Sequence, residues 1–424
     1  MNVSIIGAGY VGLVTAAGLA HLGHVVRLGE ANPERVAQLE AGEVPIFEEG
    51  LADLFDEARA ANRISFHTSN IAAVEGSDLV FLCLPTPQGE DGRANLAFVH
   101  SVVDELGGEL DEGDLFVVKS TVPPGTVASL RKRLADLGSS ARVVSHPEFL
   151  REGRAVPDFM NPDRIVIGAW DEADADRVAS LYADLDTHFI KTDPTSSEMI
   201  KYANNSYLAS RLTFVNTLAN VCEAVGADIL DVIEGLGSDH RIGPHFLQPG
   251  PGYGGSCFPK DTSALIAVAE DAGYDFQLLR AVIAADDEQR RRVAAKVRLA
   301  AGGGLRGRKV AMWGIAFKAG TDDVRESPAL RIAALLQEEG AEVVAYDPEA
   351  RTDMVGIASS ALEAVDGADV LLVATEWPEF AEVDLAEVAS RMRGHRIVDA
   401  RNLLDPKQVR KVGLDYWGLG RPSA

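Results

Sequence analysis

The sequence contains little cysteine and comparatively little positive charge. It has three cysteines in 424 residues, an odd and small number that does not suit a disulfide framework and favours a reducing, cytosolic environment. Its 64 acidic residues outnumber its 40 basic residues and give a net charge of -24. A chain this acidic does not neutralise phosphates over a broad surface, so the composition argues against a nucleic-acid partner.

Long apolar runs are absent as well. No run approaches the ~20 apolar residues that a membrane-spanning helix needs, and the N-terminal sequence MNVSIIGAGY lacks the basic start of a signal peptide. We therefore expect a cytoplasmic protein with no membrane partner. Hydrophobic residues make up 46% of the chain, which suffices for two or three domains with separate cores.

Strands and helices alternate in the first part of the chain. Helices are predicted at residues 10–22 and 33–41. The apolar stretches with strand character lie at residues 2–6, 24–28, 79–84, 115–119, 142–145 and 164–167. Such alternation predicts a parallel, doubly wound sheet.

A long helix and a second α/β region follow. Residues 197–225 contain no Gly or Pro and carry apolar side chains at steps of three and four, which predicts either an ordinary core helix or a helix that bridges two domains and offers a dimer surface. Glycines 302–304 mark a linker. Beyond them, strands are predicted at residues 309–314, 342–346, 370–374 and 396–399, with a helix at 328–339.

These elements predict an α/β protein with two Rossmann-like, doubly wound domains. A helical middle domain with a long central helix is expected to join them. The predicted boundaries are residues 1–195 for a dinucleotide-binding domain, 196–300 for the middle domain and 301–424 for a second ligand-binding domain.

The turn after the first predicted strand carries a dinucleotide-binding fingerprint. It reads Gly7-Ala8-Gly9-Tyr10-Val11-Gly12. The three glycines suit a tight turn, a close approach to a pyrophosphate, and helix–strand packing. Eighteen residues later, Glu30 ends the next strand. A carboxylate there accepts hydrogen bonds from both ribose hydroxyls and repels a 2′-phosphate, so the pattern favours NAD over NADP.

The segment GPGYGGSCFPKD at residues 250–261 predicts a reactive cysteine. Its glycines let the backbone approach a ligand closely. Pro259 suits the first turn of a helix, so Cys257 is expected at a helix N-terminus beside Lys260. Both features lower a thiol pKa and prepare a nucleophile. Cys83 and Cys222 lie in apolar elements and are expected to be buried, inert thiols.

Together, the fingerprint and the cysteine segment resemble the UDP-glucose/GDP-mannose dehydrogenase family, and within it the members that act on UDP-glucose. The resemblance extends from Gly7 to about Arg401. Family members that oxidise UDP-N-acetylhexosamines usually carry His where this chain has Ser256, which argues against those substrates.

The resemblance implies an NAD-dependent, four-electron oxidation of the C6 alcohol of UDP-glucose to give UDP-glucuronate. The implied route passes through a thiohemiacetal and a thioester on Cys257. dTDP-glucose and GDP-mannose remain alternative substrates. A two-electron hydroxyacid dehydrogenase, which needs no nucleophilic cysteine, is the alternative reaction.

The resemblance also implies the roles of five further catalytic residues. Lys201 and Asn205 hold the developing oxyanion, and Asp261 positions water or Lys201. Glu148 activates the hydrolytic water, and Thr121 contacts both the cofactor and a catalytic water.

Two sets of ligand-binding residues follow from the same resemblance. The implied cofactor-binding residues are Gly7, Gly9, Tyr10, Val11, Gly12, Glu30, Arg35, Thr86, Thr121, Glu152, Lys260 and Arg325. The implied substrate-binding residues are Glu148, Phe149, Leu150, Arg151, Glu152, Lys201, Asn205, Arg241, Phe246, Leu247, Gln248, Pro249, Gly250, Gly254, Lys318 and Arg401. A homodimer is implied in which Arg241 serves the partner's site, and no metal site is predicted.

Overall fold

The computed structural model describes residues 1–110 and 113–422. The chain divides into two units. One holds Met1–Asn204 and Ser263–Gly273, and the other holds Asn205–Thr262 and the residues from Tyr274 onward. No helix in the described part of the chain is both long and apolar enough to cross a lipid bilayer.

The first unit is built on an eight-stranded sheet with the order β3-β2-β1-β4-β5-β6-β7-β8. All strand pairs are parallel except β6 with β7. The strands are β1 (Asn2–Ile6), β2 (Val25–Gly29), β3 (Ile64–His67), β4 (Leu79–Leu82), β5 (Leu115–Val118), β6 (Arg142–Ser145), β7 (Arg164–Gly168) and β8 (His188–Thr192). The helices are α1 (Tyr10–His21), α2 (Pro33–Ala41), α3 (Leu51–Ala60), α4 (Asn70–Val74), α5 (Ala97–Leu106), α6 (Thr126–Asp136), α7 (Ala155–Met160) and α8 (Glu172–Ala179).

This sheet is buried on both faces. Along β1, Val3 and Ile5 belong to one apolar cluster, whereas Ile6 packs into another with Val80 and Leu82. Burial on both faces explains why the central strands are continuous apolar runs in the sequence. The strand order reverses between β1 and β4, and ligands of such sheets bind at the carboxyl ends of the strands beside this point.

The second unit is built on a six-stranded, fully parallel sheet with the order β11-β10-β9-β12-β13-β14. Its strands are β9 (Lys309–Trp313), β10 (Glu342–Tyr346), β11 (Gly356–Ile357), β12 (Val370–Val373), β13 (Arg396–Asp399) and β14 (Asp415–Gly418). The other α-helices in the described part of the chain are α9 (Pro194–Val225), α10 (Ile229–Gly237), α11 (Phe258–Asp271), α12 (Gln277–Ala300), α13 (Pro328–Glu338), α14 (Ala361–Ala364), α15 (Pro378–Glu382), α16 (Leu385–Arg391) and α17 (Pro406–Lys411). Two unit boundaries fall within α9 and α11, and the third falls after α11, between Gly273 and Tyr274.

The predicted α/β class with two doubly wound sheets is confirmed, although the first sheet contains one antiparallel pair and several predicted ends shift. The strand predicted at 79–84 ends at Leu82, because the hydroxyl of Ser120 accepts the N–H of Leu84 at 2.8 Å and draws it out of the ladder. The long helix begins at Pro194 rather than residue 197, as a proline fits the first helical turn. The half-exposed strands β3 and β8 were not predicted, because they lack a continuous apolar run.

Candidate active site

The three fingerprint glycines differ in their surroundings. Gly7 has a φ of +104°, and a Cβ there would lie 2.6 Å from the carbonyl oxygen of Cys83. A Cβ at Gly12 would lie 1.8 Å from the carbonyl oxygen of Gly7. Around Gly9, by contrast, a Cβ would meet nothing within 4 Å. Two glycines therefore shape the turn, whereas the third leaves open space at the start of α1, where a pyrophosphate can approach the backbone.

Glu30 stands beside this turn at the end of β2. Its two carboxylate oxygens accept the backbone N–H groups of Ala8 at 3.0 Å and Asn32 at 2.9 Å. These bonds hold the carboxylate next to the glycine turn, and each oxygen keeps further acceptor capacity. Arg35 donates to the carbonyl of Ala8 at 3.1 Å, while the nearby guanidinium of Arg27 is bound to backbone carbonyls of α4. A dinucleotide with a free ribose diol fits this arrangement.

Side-chain hydrogen bonds tie the loops after β4 and β5 together. The hydroxyl of Thr86 donates to the carbonyl of Thr121 at 2.9 Å. Ser120 joins the same loops through its bond to the N–H of Leu84. Both loops leave the sheet on the β4 side of the strand-order reversal, so the predicted cofactor contacts Thr86 and Thr121 lie at the crevice edge.

Glu148 and Lys201 form an ion pair in the first unit, with 2.7 Å between Nζ and the carboxylate. The second carboxylate oxygen of Glu148 accepts the N–H of Leu150 at 2.6 Å. Phe149 contributes its ring: the ammonium of Lys201 lies 5.3 Å from the ring centroid, and the guanidinium of Arg164 lies 3.8 Å from it. The sequence-predicted base and oxyanion-binding lysine are thus brought together.

The loop that follows Glu148 is fixed by a residue that the sequence analysis missed. The carboxylate of Glu48, itself buried, accepts the N–H groups of Gly153 and Ala155, each at 2.7 Å, and the hydroxyl of Tyr10. Arg151 is ion-paired with Asp158. Glu48 lies in a segment without strong helical or strand periodicity. Its sequence therefore gave little indication that this carboxylate contacts the loop after Glu148.

In the second unit, Cys257 immediately precedes α11, and its carbonyl accepts the N–H of Asp261 at 2.8 Å. The fully buried carboxylate of Asp261 accepts the side-chain N–H of Asn205 at 2.6 Å and forms an ion pair with Lys260. The hydroxyl of Ser256 lies 3.6 Å from Sγ of Cys257. Three sequence-predicted residues, Asn205, Lys260 and Asp261, therefore form one connected group that is joined to the backbone of Cys257.

As predicted, Cys257 differs from the other two cysteines. Cys83 and Cys222 are buried, whereas Cys257 is partly exposed. Burial raises the pKa of the Cys83 thiol to about 12, so that thiol is protonated at neutral pH. Cys83 is therefore a poor nucleophile, because the thiolate is the reactive form of cysteine.

The glycine-rich loop before Cys257 is held by two amides that the sequence analysis also missed. The N–H of Gly250 donates to the side chain of Asn216 at 2.8 Å, and its carbonyl accepts from Gln289 at 2.9 Å. Further along, the carboxylate of Asp286 accepts the N–H of Tyr253 at 2.9 Å. Each of these side chains projects from a helix whose apolar periodicity gives no hint of a loop contact.

Several predicted substrate-binding residues meet against the other side of this loop. A Cβ at Gly254 would lie 2.5 Å from the carbonyl oxygen of Glu326, and one at Gly250 would lie 2.9 Å from the guanidinium of Arg401. Arg401 also donates to the carbonyl of Phe317 at 3.0 Å. Lys318, next along the chain, has its ammonium 5.5 Å from the Phe317 ring centroid. Arg401, which is also ion-paired with Glu376 at 3.0 Å, therefore lies against Gly250 of this loop within the second unit.

The remaining predicted residues of this unit lie on loops and pair locally. Leu247 and Pro249 are buried, Gln248 is exposed, and Phe246 adopts a left-handed φ of +56°. Arg325 is ion-paired with Asp323 at 2.7 Å, and its carbonyl accepts the N–H of Gly255. Arg241 is ion-paired with Asp239 and directs an exposed side chain to solvent.

The turn after β9 differs from the fingerprint turn of the first unit. Here Asp347 accepts the N–H groups of Ile315 at 2.7 Å and Ala316 at 3.0 Å through one oxygen. That oxygen also accepts from the indole of Trp377. These N–H groups are therefore already bound within the protein, unlike those that a pyrophosphate uses at a dinucleotide turn.

Comparison with known proteins identifies the chain over almost its full length. Residues 1–186, 195–288 and 311–406 match, in order, the NAD binding domain, the central domain and the UDP binding domain of the UDP-glucose/GDP-mannose dehydrogenase family. The UDP-glucose 6-dehydrogenase of Pseudomonas aeruginosa is 42% identical, covering 100% of this chain and 98% of the relative. That of Rhizobium meliloti is 41% identical, covering 100% of both chains.

Solved structures agree with the sequence matches. A UDP-glucose dehydrogenase from Pyrobaculum islandicum has a TM-score of 0.91 at 38% identity, covering 99% of this chain and 98% of that one. A UDP-D-ManNAc dehydrogenase from Pyrococcus horikoshii has a TM-score of 0.90 at 28% identity, covering 99% of each chain. The chain belongs to the UDP-glucose/GDP-mannose dehydrogenase family.

Proposed function

We propose that this protein oxidises the C6 alcohol of UDP-glucose to UDP-glucuronate, using two NAD per sugar. The partly exposed Cys257 at the start of α11, joined to the Asp261–Asn205 pair, is the observation that carries the proposal. The curated relatives that match over the full length are named UDP-glucose 6-dehydrogenases. A thiol nucleophile suits this reaction, because an aldehyde yields a second hydride only after it becomes tetrahedral.

NAD is the cofactor of this proposal, held at the fingerprint turn of residues 7–12. The open space at Gly9 and the carboxylate of Glu30 support this choice. NAD accepts hydride when it is bound. Arg35, Thr86, Thr121, Glu152, Lys260 and Arg325 complete the proposed contacts.

The proposed chemistry divides among five groups. Cys257 forms the thiohemiacetal and then the thioester. Lys201 and Asn205 stabilise the oxyanion of the tetrahedral species by charge and by an amide N–H. Asp261 orients Asn205, with which it is hydrogen-bonded. Glu148 takes the proton of the hydrolytic water, a role that its burial beside Lys201 supports.

The nucleotide sugar is proposed to lie along the glycine-rich loop, with its diphosphate at Lys318 and Arg401. Those two cations offer a local site for a diphosphate within an acidic chain. The remaining proposed substrate contacts are Phe149, Leu150, Arg151, Arg241, Phe246, Leu247, Gln248, Pro249, Gly250 and Gly254. The three domains are proposed to divide at residues 195 and 300, which the match boundaries support.

A homodimer is part of the proposal. On α9, Tyr207, Phe214 and Val221 are 65%, 59% and 52% exposed, and their seven-residue spacing places them on one helix face. A second copy of this chain would cover that apolar face. Arg241, exposed on its loop, is proposed to reach the partner's nucleotide site. A cytoplasmic location is proposed because no disulfide joins the three cysteines, all of which lie in the described part of the chain.

A substrate panel tests the proposed reaction. UDP-glucose, dTDP-glucose, GDP-mannose and UDP-N-acetylglucosamine are each supplied in limiting amount with excess NAD, and NADH is followed by absorbance. We expect two NADH per UDP-glucose. Absence of NADH with all four sugars would contradict the proposal, and two NADH from another sugar would reassign the substrate.

A cysteine pair tests the covalent route. Cys257→Ser is expected to abolish carboxylate formation, whereas the matched change Cys222→Ala, at a buried thiol, leaves it intact. Carboxylate formation by Cys257→Ser at the wild-type rate would rule out the thioester intermediate.

A mixing experiment tests the dimer. Arg241→Ala and Cys257→Ser subunits are expected to be inactive alone and to regain activity when mixed as heterodimers.

A further inference from the structure

A second lysine is buried close to Glu148, and the proposed chemistry does not use it. Lys119 follows β5 and is 5% exposed. Its ammonium lies 3.2 Å from Nε2 of His146, a residue that is also buried. The hydroxyl of Tyr182 lies 2.9 Å from the same nitrogen. Because His146 is not a carboxylate, this contact gives the buried ammonium of Lys119 no ion-pair partner. The contact therefore stabilises the positive charge only weakly.

The hydrogen bonds of His146 define which of its nitrogens carries the proton. Nδ1 lies 2.9 Å from the backbone carbonyl of Val166, which accepts only, so Nδ1 must be the donor. Nε2 of the neutral ring is then an acceptor, and it receives Lys119 and Tyr182. The histidine therefore fixes the position of the lysine nitrogen and takes up no proton itself. Burial and the charge of Lys119 lower the pKa of His146 well below its usual range, in agreement with this tautomer.

Lys119 and Glu148 line one cavity of about 110 Å³ in the first unit. One water molecule needs about 10–15 Å³ of cavity volume, so this cavity has room for several water molecules. Its inner wall includes the buried His146 and Tyr182, and its rim includes the exposed Asn161 and Asp163. The same cavity is thus lined both by the buried Lys119 and Glu148 and by residues exposed at the protein surface.

Burial and the charges around Lys119 bring its pKa close to neutral pH. Burial lowers the pKa of Lys119, and the charge of Lys201 acts in the same direction, whereas Cys83 and Glu148 raise it; the resulting pKa is about 8. Arg164 adds a further cation at the cavity wall. A substantial fraction of Lys119 is therefore an uncharged amine just above neutral pH.

We propose that Lys119 receives, through water in this cavity, the proton that Glu148 removes from the hydrolytic water. The inference rests on the proposed function and assigns Lys119 as a proton-accepting residue of the hydrolytic step. His146 is the positioning residue that orients the Lys119 nitrogen. No ligand other than water is required in the cavity.

The step balances as follows. Water adds to the thioester carbon as Glu148 takes one of its protons, and the tetrahedral species collapses with cleavage of the C–S bond. The Cys257 thiolate takes the proton of the new carboxylic acid, which leaves the carboxylate product. The proton on Glu148 passes through cavity water to the Lys119 amine, and the ammonium releases it to solvent at the rim. Nothing is oxidised or reduced in this half of the reaction.

The wild-type protein provides the first test, because only the uncharged amine accepts a proton. Rapid mixing with UDP-glucose and NAD, followed by acid quench and intact-mass measurement, gives the decay rate of the Cys257 adduct. We expect this rate to rise between pH 7 and 9 with a midpoint near the pKa of Lys119. A flat rate over this range would overturn the proposal without any variant.

Two variants provide the second test. Lys119→Met removes the acceptor, and Lys119→Arg keeps a cation that does not release its proton. Both are expected to slow decay of the adduct by roughly 10- to 100-fold, the range of a lost acid–base contribution, and to lose its rise with pH. Both should still produce two NADH per site in the first turnover, since the hydride steps precede hydrolysis. Adduct decay at the wild-type rate in Lys119→Arg contradicts the proposal.

The controls separate this proposal from the proposed function. Lys191→Met makes the same substitution at a half-exposed lysine of β8 and is expected to keep the wild-type rate and pH profile. Added ethylamine is expected to accelerate adduct decay in Lys119→Met and not in the wild type. If the wild type yields no NADH, the proposed function has failed. If it yields two NADH and the Lys119 variants behave like wild type, the relay alone has failed.

Discussion

The ammonium of Lys201 lies 2.7 Å from the carboxylate of Glu148, and both side chains are almost completely buried. The pair joins α9 to the loop after β6 within the first unit. Each group is the charge partner of the other in a poorly solvated position, so the loss of either leaves an uncompensated charge. The stability of this unit and the proposed chemistry therefore depend on the same two residues.

We expect Lys201→Met to destabilise the protein by about 3–5 kcal/mol, the usual cost of breaking a buried pair. The double variant Lys201→Met with Glu148→Leu should be less destabilised than the single one, because no unpaired charge remains. Urea unfolding of both variants measures the difference. Equal destabilisation of the single and double variants would argue against a coupled pair.

Glycine substitutions in the fingerprint should separate folding from cofactor binding. Gly9→Ala places its Cβ in open space, so the thermal midpoint should remain unchanged while NAD affinity falls where the backbone must approach the pyrophosphate. Gly12→Ala drives its Cβ into the carbonyl of Gly7 and should lower the midpoint strongly. Thermal unfolding and calorimetric titration with NAD give the two quantities. Equal loss of stability in both variants would contradict this division.

Glu30 should set both NAD affinity and discrimination against NADP. Glu30→Gln keeps the shape and one carbonyl oxygen but removes the charge that binds the ribose diol and repels a 2′-phosphate. We expect about tenfold weaker NAD binding, equivalent to ~1.4 kcal/mol, and a smaller ratio of NAD to NADP affinity. Titration with each cofactor measures this. Glu34→Gln, an exposed change in α2, is the matched control, and an unchanged ratio in Glu30→Gln would refute the assignment.

Glu198 should make stability depend on pH near neutrality. It accepts the N–H groups of Gly125 at 2.6 Å and Val127 at 2.7 Å at the start of α6. Burial raises its pKa to about 7, against the opposing effect of these hydrogen bonds. Because the folded-state pKa is raised, its stabilising contribution is complete below the unfolded pKa of about 4.3 and is lost as pH rises through 7.

The measurement for Glu198 is the slope of unfolding free energy against pH. Between pH 5 and 7 the folded state retains a proton that the unfolded state releases, so this residue should lower stability by up to ~1.4 kcal/mol per pH unit. Glu198→Gln should remove that contribution to the slope, whatever its effect on absolute stability. An unchanged slope in Glu198→Gln would show that the carboxyl titrates normally.

The fold class and the motifs with functional residues could be predicted from the sequence, because both depend on residues that are close together in the chain. Central strands such as β1 and β4 are apolar runs, since both of their faces are buried. The glycine turn and the segment around Cys257 place their residue types at fixed spacings. In contrast, the half-exposed strands β3 and β8 have weak patterns, and the end of β4 depends on a hydroxyl from Ser120, 36 residues away.

The sequence by itself therefore determined two doubly wound sheets, a dinucleotide turn with its acidic partner and an exceptional cysteine. Only the tertiary structure decided that Lys201 pairs with Glu148, that Asp261 binds Asn205, and that Lys119 shares a cavity with Glu148. These partners are far apart in the chain, and a side chain's spacing along its own helix or strand does not specify which distant group it meets. Burial also lowers the pKa of Lys119, because solvation depends on the surrounding packing rather than on residue type.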